Sequence, residues 1–184
     1  HTTWANPNEA YESAVISFVE AVLQSRAFLE SFVPFQRDIA YFGMLNSLSE
    51  TLIKLTAPGV PDIYQGAEIW DFSLVDPDNR RPVDYQSRFA VLQELKKQVT
   101  AGAECPETQL CSMTQKMEDG RIKLHTIAAT LGLRKQRPQL FRGGEYLPLR
   151  VSGPKSRHVL AFARRSEDQW LIVAVPRLCA ELLE

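Results

Sequence analysis

The chain has 184 residues, a formal net charge of −1 and 45% hydrophobic residues, enough apolar material for one ordinary domain or two small ones. This balance excludes a strongly basic nucleic-acid-binding surface, and no apolar run reaches the roughly 18 residues that a membrane span needs. The 3 cysteines form no C-x-x-C pair and the 3 histidines are scattered, so neither a disulfide framework nor a metal site is predicted. Cysteine usage and the lack of a signal-peptide pattern favour the cytoplasm.

The first third of the chain is predicted to be helical. The spacing of its apolar residues predicts helices over 6–24, 26–33 and 35–55. Asn6 is the expected cap of the first helix, and Pro34 is expected to separate the second from the third. Pro58 and Gly59 end the third helix, because proline has no N–H and glycine tolerates the turn. Trp4 and Tyr41 are interpreted as core residues.

A short apolar run over 60–64 predicts a strand that starts with a proline, followed by a polar loop over 65–87. A loop of this length in a compact chain is functional or disordered. Tyr64, Trp70 and Phe72 favour order, because disordered segments are poor in aromatic residues. The polar loop is therefore predicted to be functional, and a helix is predicted over 88–99.

The remainder of the chain is predicted to change from helix to sheet. Residues 100–118 lack clear periodicity and are interpreted as a link between two units. A helix is expected over 119–135, with a solvated basic end at 134–137. Strands are expected over 145–151, 157–164 and 169–175, the last two joined by a hairpin at 166–168.

The predicted order of elements gives an α+β fold that is not a self-contained α/β domain. A lone strand after a long helix cannot form a sheet, so its neighbours are expected elsewhere in a longer polypeptide. In this chain alone, residues 60–64 are expected to be non-strand, re-paired with another chain or partly solvated. The sequence also begins without methionine and stops soon after an apolar run. We therefore expect a piece of a larger protein.

Two adjacent motifs carry a specific resemblance. "PGVPDIYQGAEIWDF" resembles the eighth-strand signature of the α-amylase-type (β/α)8 barrels. The continuation "DFSLVDPDNRRPVDY", with "TTWANPNEAYE" upstream and "RPQLFRGGEYLPL" downstream, is similar to the maltooligosyltrehalose synthases. The resemblance implies that residues 1–100 are the C-terminal portion of a catalytic barrel, including strand eight and its loop. Residues 101–184 would then be a linker, a helix and a small, incomplete antiparallel β domain.

The same resemblance implies an activity for the intact enzyme. In that family, the reducing-end α-1,4 link of a maltooligosaccharide is converted into an α,α-1,1 trehalose link by intramolecular glucosyl transfer. The retaining double displacement uses carboxylates from strands four, five and seven, all before strand eight. This chain is thus expected to contain no catalytic residue and to be inactive alone. The chemistry requires no metal or organic cofactor.

The resemblance places a substrate-binding role on the polar loop, because barrel active sites lie at the C-terminal ends of the strands. Its carboxylates, amides, guanidinium groups and aromatic rings suit sugar hydroxyls and sugar faces. The candidate substrate-binding residues are Tyr64, Gln65, Asp76, Asp78, Asn79, Arg80, Arg81 and Tyr85.

Simpler interpretations of the same residues stay open. Asp76 and Asp78 can be turn residues. Arg80 or Arg81 can pair with Asp71, Asp84 or Glu68 to hold the loop shape, and Glu68 and Trp70 can support the fold. Two other functions remain alternatives: another α-amylase-group enzyme, such as a glucosidase or glucan transferase, or a non-catalytic glucan- or partner-binding domain. A maltooligosaccharide is the expected partner, without nucleic acid or membrane, and the isolated piece is expected to self-associate through its apolar helix faces.

Overall fold

The computed structural model describes the backbone of residues 1–100 and 106–183, and their side chains except those of 98–100, 106, 107 and 109. The helices of the described residues are α1 (Glu9–Gln24), α2 (Arg26–Thr56), α3 (Tyr85–Thr100), α4 (Pro106–Thr114), α5 (Arg121–Gln136), α6 (Pro138–Arg142) and α7 (Cys179–Leu183). The strands are β1 (Glu145–Pro148), β2 (Val159–Ser166) and β3 (Gln169–Pro176). Short 3-10 turns cover Asp78–Arg80, Met117–Asp119 and Ser156–His158.

The first two helices differ from the prediction at their boundaries. The cap of α1 is Asn8 and not Asn6: the Asn8 Oδ1 accepts a hydrogen bond from the Tyr11 backbone N–H at 3.1 Å. Pro34 lies inside α2, so the predicted break there is wrong. A proline removes one backbone donor from a helix, but the turns on either side keep their own hydrogen bonds and continue the helix.

The middle of the chain also corrects the prediction. Residues 60–64 do not form a strand, which is the outcome expected when the parallel neighbours are missing. Helix α3 begins at Tyr85, three residues earlier than predicted. The stretch predicted to be loose contains α4 and the 3-10 turn Met117–Asp119. Residues 101–105 of that stretch lie outside the described residues.

The predicted antiparallel sheet is confirmed, with order β1-β2-β3. Phe162 on β2 faces Val173 on β3, and both are buried on the same side of the sheet. Ser166 pairs with Gln169, which leaves Glu167 and Asp168 as a two-residue hairpin turn with Glu167 at φ 54°. β1 ends at Pro148, three residues before the predicted end.

Two hydrophobic clusters use the C-terminal half of α2. The first consists of Leu95, Met113, Met117, Ile122 and Leu124, and Met44, Leu45, Leu48, Ile69, Trp70, Val91 and Leu92 pack against it. The second consists of Phe162, Val173 and Val175, and Leu52, Ile53, Ala57 and Leu171 pack against it. The end of α2 thus contacts both the helices and the sheet, which sets the starting point of the polar loop.

The contacts divide the chain into two compact units, His1–Gly43 and Met44–Glu184. No residue of the first unit is buried, so the apolar helix faces expected to mediate self-association are not covered within this unit. Trp4 is fully exposed and Tyr41 is 41% exposed, which corrects their interpretation as core residues. This division differs from the predicted boundary between residues 100 and 101, and the barrel and β-domain assignment stays a prediction.

Candidate functional site

Two arginines bind the end of α2, where the candidate site begins. The Arg134 Nη1 donates to the Leu55 carbonyl oxygen at 2.7 Å, and the Arg164 Nη1 donates to the Thr56 carbonyl oxygen at 3.1 Å. The last carbonyls of a helix lack intrahelical partners and carry the negative end of its dipole. The two guanidinium groups therefore stabilise the point at which the chain leaves the helix.

Arg164 is buried and connects three parts of the chain. It is 1% exposed, and its Nη2 donates to the carbonyl oxygens of Phe141 and Gly144 at 3.0 and 2.9 Å. Its Nε has no hydrogen-bond partner among the described residues. Burial and the nearby Arg134 lower the Arg164 pKa. The cation is thus compensated by backbone carbonyls that also fix the α6–β1 turn.

The segment between α2 and the polar loop is open to solvent. Val60 is 97% exposed and Tyr64 is 48% exposed, and Gln65 is exposed as well. Gly59 has φ +122°, a conformation that other residues rarely adopt. The two candidate residues at the start of the loop, Tyr64 and Gln65, are therefore accessible to a ligand.

Arg88 holds the two ends of the polar loop together. Its Nη2 donates to the Gly66 carbonyl oxygen at 3.0 Å, and its Nη1 donates to the Asp84 carbonyl oxygen at 3.0 Å. Its Nε lies 3.3 Å from the Glu68 Oε2, an ion pair without hydrogen-bond alignment. One side chain thus closes the base of the loop, with the Glu68 carboxylate beside it.

The loop base also packs on the start of α5. The Trp70 Nε1 donates to the Met117 carbonyl oxygen at 2.5 Å, and the Lys123 Nζ donates to the Ile69 carbonyl oxygen at 3.2 Å. A Cβ on Gly120 would lie 2.8 Å from the Ile69 Cβ, so the approach requires glycine there. Burial lowers the Lys123 pKa, and its Nζ lies 5.5 Å from the centroid of the Trp70 ring. The predicted supporting role of Trp70 is confirmed.

Residues 72–83 form an exposed lobe beyond this base. The Asp78 Oδ2 accepts a hydrogen bond from the Leu74 backbone N–H at 2.8 Å, as expected of a turn residue. Large apolar side chains at the tip point into solvent: Phe72 is 85%, Leu74 76% and Val75 83% exposed. The Asp76–Pro77 peptide bond is cis. The lobe is held by its own polar contacts, with little packing.

The arginines of the lobe pair with partners other than those expected. Arg80 forms an ion pair with Asp76, and Arg81 forms one with Asp78. Asp71 and Asp84 instead accept hydrogen bonds from Ser73 and Ser87, and these bonds lower the pKa of each carboxyl. The expected pairing of Arg80 or Arg81 with Asp71, Asp84 or Glu68 is therefore wrong.

Most of the candidate substrate-binding residues lie at the surface. Tyr64, Gln65, Asp76, Arg80, Arg81 and Tyr85 are exposed, and Asp78 and Asn79 are partly buried. The Asn79 Oδ1 is buried without a hydrogen-bond partner among the described residues, which is an unusual state for a polar atom. The structure thus brings Asp76, Asp78, Arg80 and Arg81 together as two ion pairs in one lobe.

Sequence reasoning missed the residues that hold the loop in place. Arg88, Lys123, Arg134 and Arg164 all donate to backbone carbonyls far along the chain, and such contacts leave no local pattern. The basic helix end was interpreted as solvated, which is wrong for Arg134. Asp119-Gly120 is a turn signal in the sequence, and it marks the position where Ile69 approaches the chain.

No group of metal-ligating side chains occurs in the described ranges, 1–100 and 106–183. No helix within those ranges has the length and hydrophobicity to cross a membrane. Cys111 and Cys179 are free thiols, and Cys105 lies outside the described residues.

Comparisons with known proteins agree with one another. A Mycobacterium tuberculosis protein that carries the name of a maltooligosyl trehalose synthase is 38% identical over 182 residues, which are 99% of this chain and 20% of that protein. A solved maltooligosyl trehalose synthase superimposes with a TM-score of 0.79 and 34% identity over 95% of this chain and 22% of its own. The Arthrobacter ramosus maltooligosyltrehalose synthase gives a TM-score of 0.73 and 31% identity over 99% of this chain and 22% of its own. No family model matches the chain.

These similarities indicate the class of protein first: the chain corresponds to a segment of a much longer enzyme. The relatives reported above carry the name of maltooligosyl trehalose synthases, so the resemblance predicted from the sequence is confirmed. The chain spans about a fifth of the length of the curated relatives that it matches.

Proposed function

We propose that this chain is the C-terminal part of an enzyme that converts the reducing-end α-1,4 link of a maltooligosaccharide into an α,α-1,1 trehalose link. The reaction is an intramolecular glucosyl transfer. The observation that carries the proposal is the match of nearly the whole chain, at 38% identity, to one enzyme type. The superposition on solved enzymes of the same name supports it independently.

In the complete enzyme, residues 1–100 form the last part of a (β/α)8 barrel and residues 101–184 form a linker, a helix and the small β domain. Residues 60–64 become the eighth strand when parallel neighbours are present. The exposure of Val60 in this chain supports this assignment, because it leaves this segment uncovered for neighbouring strands.

The polar loop forms part of the sugar-binding wall. Tyr64 and Tyr85 offer rings for sugar faces, and the ion pairs of the lobe present charged groups to sugar hydroxyls. Arg88 and Lys123 hold the base of the loop, so that the lobe starts from a fixed position. Such support from outside the ligand-contacting residues is typical of preorganised sites.

The catalytic carboxylates lie outside this chain. A general acid at neutral pH requires a raised pKa. The Asp71 and Asp84 carboxyls have lowered pKa values because of Ser73 and Ser87. Asp76 and Asp78 are committed to arginines. The acidic groups of the loop are thus suited to binding and unsuited to proton donation.

Two other functions compete with this proposal. Another α-amylase-group enzyme, such as a glucosidase or glucan transferase, would have a barrel of the same kind, but the similarity favours the trehalose-forming type. A non-catalytic glucan- or partner-binding domain would need no other segment. We place the enzyme in the cytoplasm, with a maltooligosaccharide as its partner.

A chimeric enzyme tests the proposal. Residues 1–184 replace the matching segment of the Arthrobacter ramosus enzyme, and trehalose-terminated product is measured from maltopentaose. We expect the chimera to be active and the 184-residue chain alone to be inactive. In the chimera, Asp78→Ala and Arg81→Ala should raise KM or lower kcat while Tm stays nearly constant.

The control is a chimera with Arg150→Ala, an exposed position outside the polar loop. A folded but inactive chimera would contradict the proposed function. Turnover by the isolated chain would contradict the placement of the catalytic carboxylates elsewhere. If both loop substitutions lower Tm strongly and leave the kinetics unchanged, the loop is a scaffold.

A further inference from the structure

A second surface of the chain has features of a sugar-binding site. A groove of about 220 Å³ lies where the outer edge of β3 meets the end of α5 and the start of α6. It is lined by Leu133, Arg137, Leu140, Gln169, Trp170 and Leu171. None of these residues belongs to the polar loop, so the groove is a separate feature.

Trp170 is the aromatic residue among those that line the groove, and it is 55% exposed. It stands opposite Arg165 in the β2–β3 register, with the Arg165 Cζ 5.3 Å from the centroid of the indole ring. Arg165 is itself paired with Glu145 at 2.6 Å. The Arg165 guanidinium therefore lies against the indole, and the exposed part of Trp170 is the surface available for stacking.

The floor and rim of the groove have complementary chemistry. Leu140 is 3% exposed, so the floor is apolar and firmly packed. Arg137 and Gln169 lie on the rim and are exposed. Neither makes a side-chain hydrogen bond or ion pair within the described part of the chain. Their planar donors and acceptors are therefore available to a ligand.

We propose that this groove binds one glucosyl residue of an α-1,4-glucan, as a surface site separate from the polar loop. A pyranose has an apolar face for the indole and equatorial hydroxyls for an amide and a guanidinium group. The groove is smaller than the roughly 300–1,000 Å³ of drug-sized pockets, which fits a single ring and weak affinity. The choice of glucan rests on the proposed function.

The test is a titration of the 184-residue chain with maltoheptaose, followed through the indole N–H resonances of Trp4, Trp70 and Trp170. We expect the Trp170 signal to shift with a dissociation constant on the order of 1 mM. Trp170→Ala should weaken binding about tenfold, because it removes the stacking surface. Trp170→Phe, which keeps a ring, should restore part of the affinity.

Trp4→Ala is the matched control. It makes the same substitution at a tryptophan that is fully exposed and lies outside the groove. It should leave binding unchanged. Equal affinity of the two alanine variants, or no binding by the unsubstituted chain, would overturn the site. Displacement of maltoheptaose by inorganic phosphate would also overturn it, because Arg137 would then mark an anion site.

The outcome separates this site from the proposed function. If Arg81→Ala abolishes binding and Trp170→Ala does not, the groove is not a glucan site and the polar loop remains one. If Trp170→Ala alone weakens binding, the groove site stands even where the chimeric enzyme proves inactive.

Discussion

The units His1–Gly43 and Met44–Glu184 both contain helices with apolar faces, but only the second unit buries such faces. In the first unit, apolar side chains such as Val15, Phe18 and Ile39 are 43–68% exposed. In the second, the continuation of α2 places Leu55 at 0% exposure. An amphipathic pattern thus predicts a helix and its apolar face, but it does not say which surface covers that face.

The comparison also explains where stability resides. Hydrophobic stabilisation follows the apolar area removed from water, at about 25 cal/mol per Å². The two core clusters lie in the second unit, apart from any contribution by residues outside the described ranges. We therefore expect substitutions in the second unit to dominate the free energy of unfolding.

The strongest test compares two phenylalanines. Phe162→Ala removes a side chain that is 1% exposed, and we expect a loss of about 3–5 kcal/mol in the free energy of unfolding. Phe18→Ala removes a side chain that is 68% exposed, and a change within about 0.5 kcal/mol is expected. Urea denaturation measures both. Similar losses would show that α1 is covered in solution, as self-association would require.

A second test concerns the buried arginine of the packed unit. Arg164→Met keeps most of the volume but leaves the carbonyls of Thr56, Phe141 and Gly144 without their donor. We expect a loss of about 3 kcal/mol. Arg150→Met, at an exposed position, serves as the control in the same thermal unfolding experiment. If Arg164→Met stabilises the protein, the free-energy cost of burying the guanidinium exceeds the stabilisation from its hydrogen bonds.

A third test compares alanine substitutions at two glycines, one in close contact with the loop base and one in open space. Gly120 has φ +73° and a Cβ there would meet the Ile69 Cβ at 2.8 Å, so Gly120→Ala should cost about 1–3 kcal/mol. Gly132 lies in α5 with open space around it, and Gly132→Ala should stabilise by about 0.5–1 kcal/mol. Hydrogen exchange of the Ile69 and Trp70 amides reports the loop base. Unchanged exchange in Gly120→Ala would refute the close approach as an anchor.

The smallest expected effect is a pH dependence in α5. Burial lowers the His125 pKa from its ordinary 6.5, so the unfolded chain binds this proton more readily than the folded chain. Stability should therefore fall as the pH decreases from about 6.5 towards the folded pKa. His125→Gln should flatten this part of the profile of Tm against pH. An unchanged slope would show that other groups cause the acid loss.

The sequence predicted the elements whose signals are local. The apolar periodicity of α1, α3 and α5 and the β-branched runs of β2 and β3 indicated them with small errors at the ends. The predicted break at Pro34 is wrong because a proline ends a helix only when the neighbouring turns do not keep their own hydrogen bonds. The absence of a strand at 60–64 follows a different rule, since strands depend on partners that a short segment cannot supply.

In the candidate site, too, local features were predictable from the sequence and contacts between distant residues were not. The polar loop was recognisable from its composition and its motif, and the Asp78 carboxylate bonds the backbone of its own loop, one of the alternatives that the residue type allowed. The pairs Arg80–Asp76 and Arg81–Asp78 were missed because several acidic partners lay within reach along the sequence. The supporting contacts of Arg88 and Lys123 depend on the folded arrangement of distant helices, which no short pattern records.

The bond from Arg164 to the Thr56 carbonyl joins residues 108 positions apart, and this separation has a consequence for synthesis on the ribosome. Translation proceeds at about 5–20 residues per second, so the donor emerges several seconds after the helix end that it holds. Until β2 has left the ribosome, the chain leaving α2 lacks one of its two arginine clamps. A nascent polypeptide that stops short of β2 would thus hold the end of α2 through Arg134 alone.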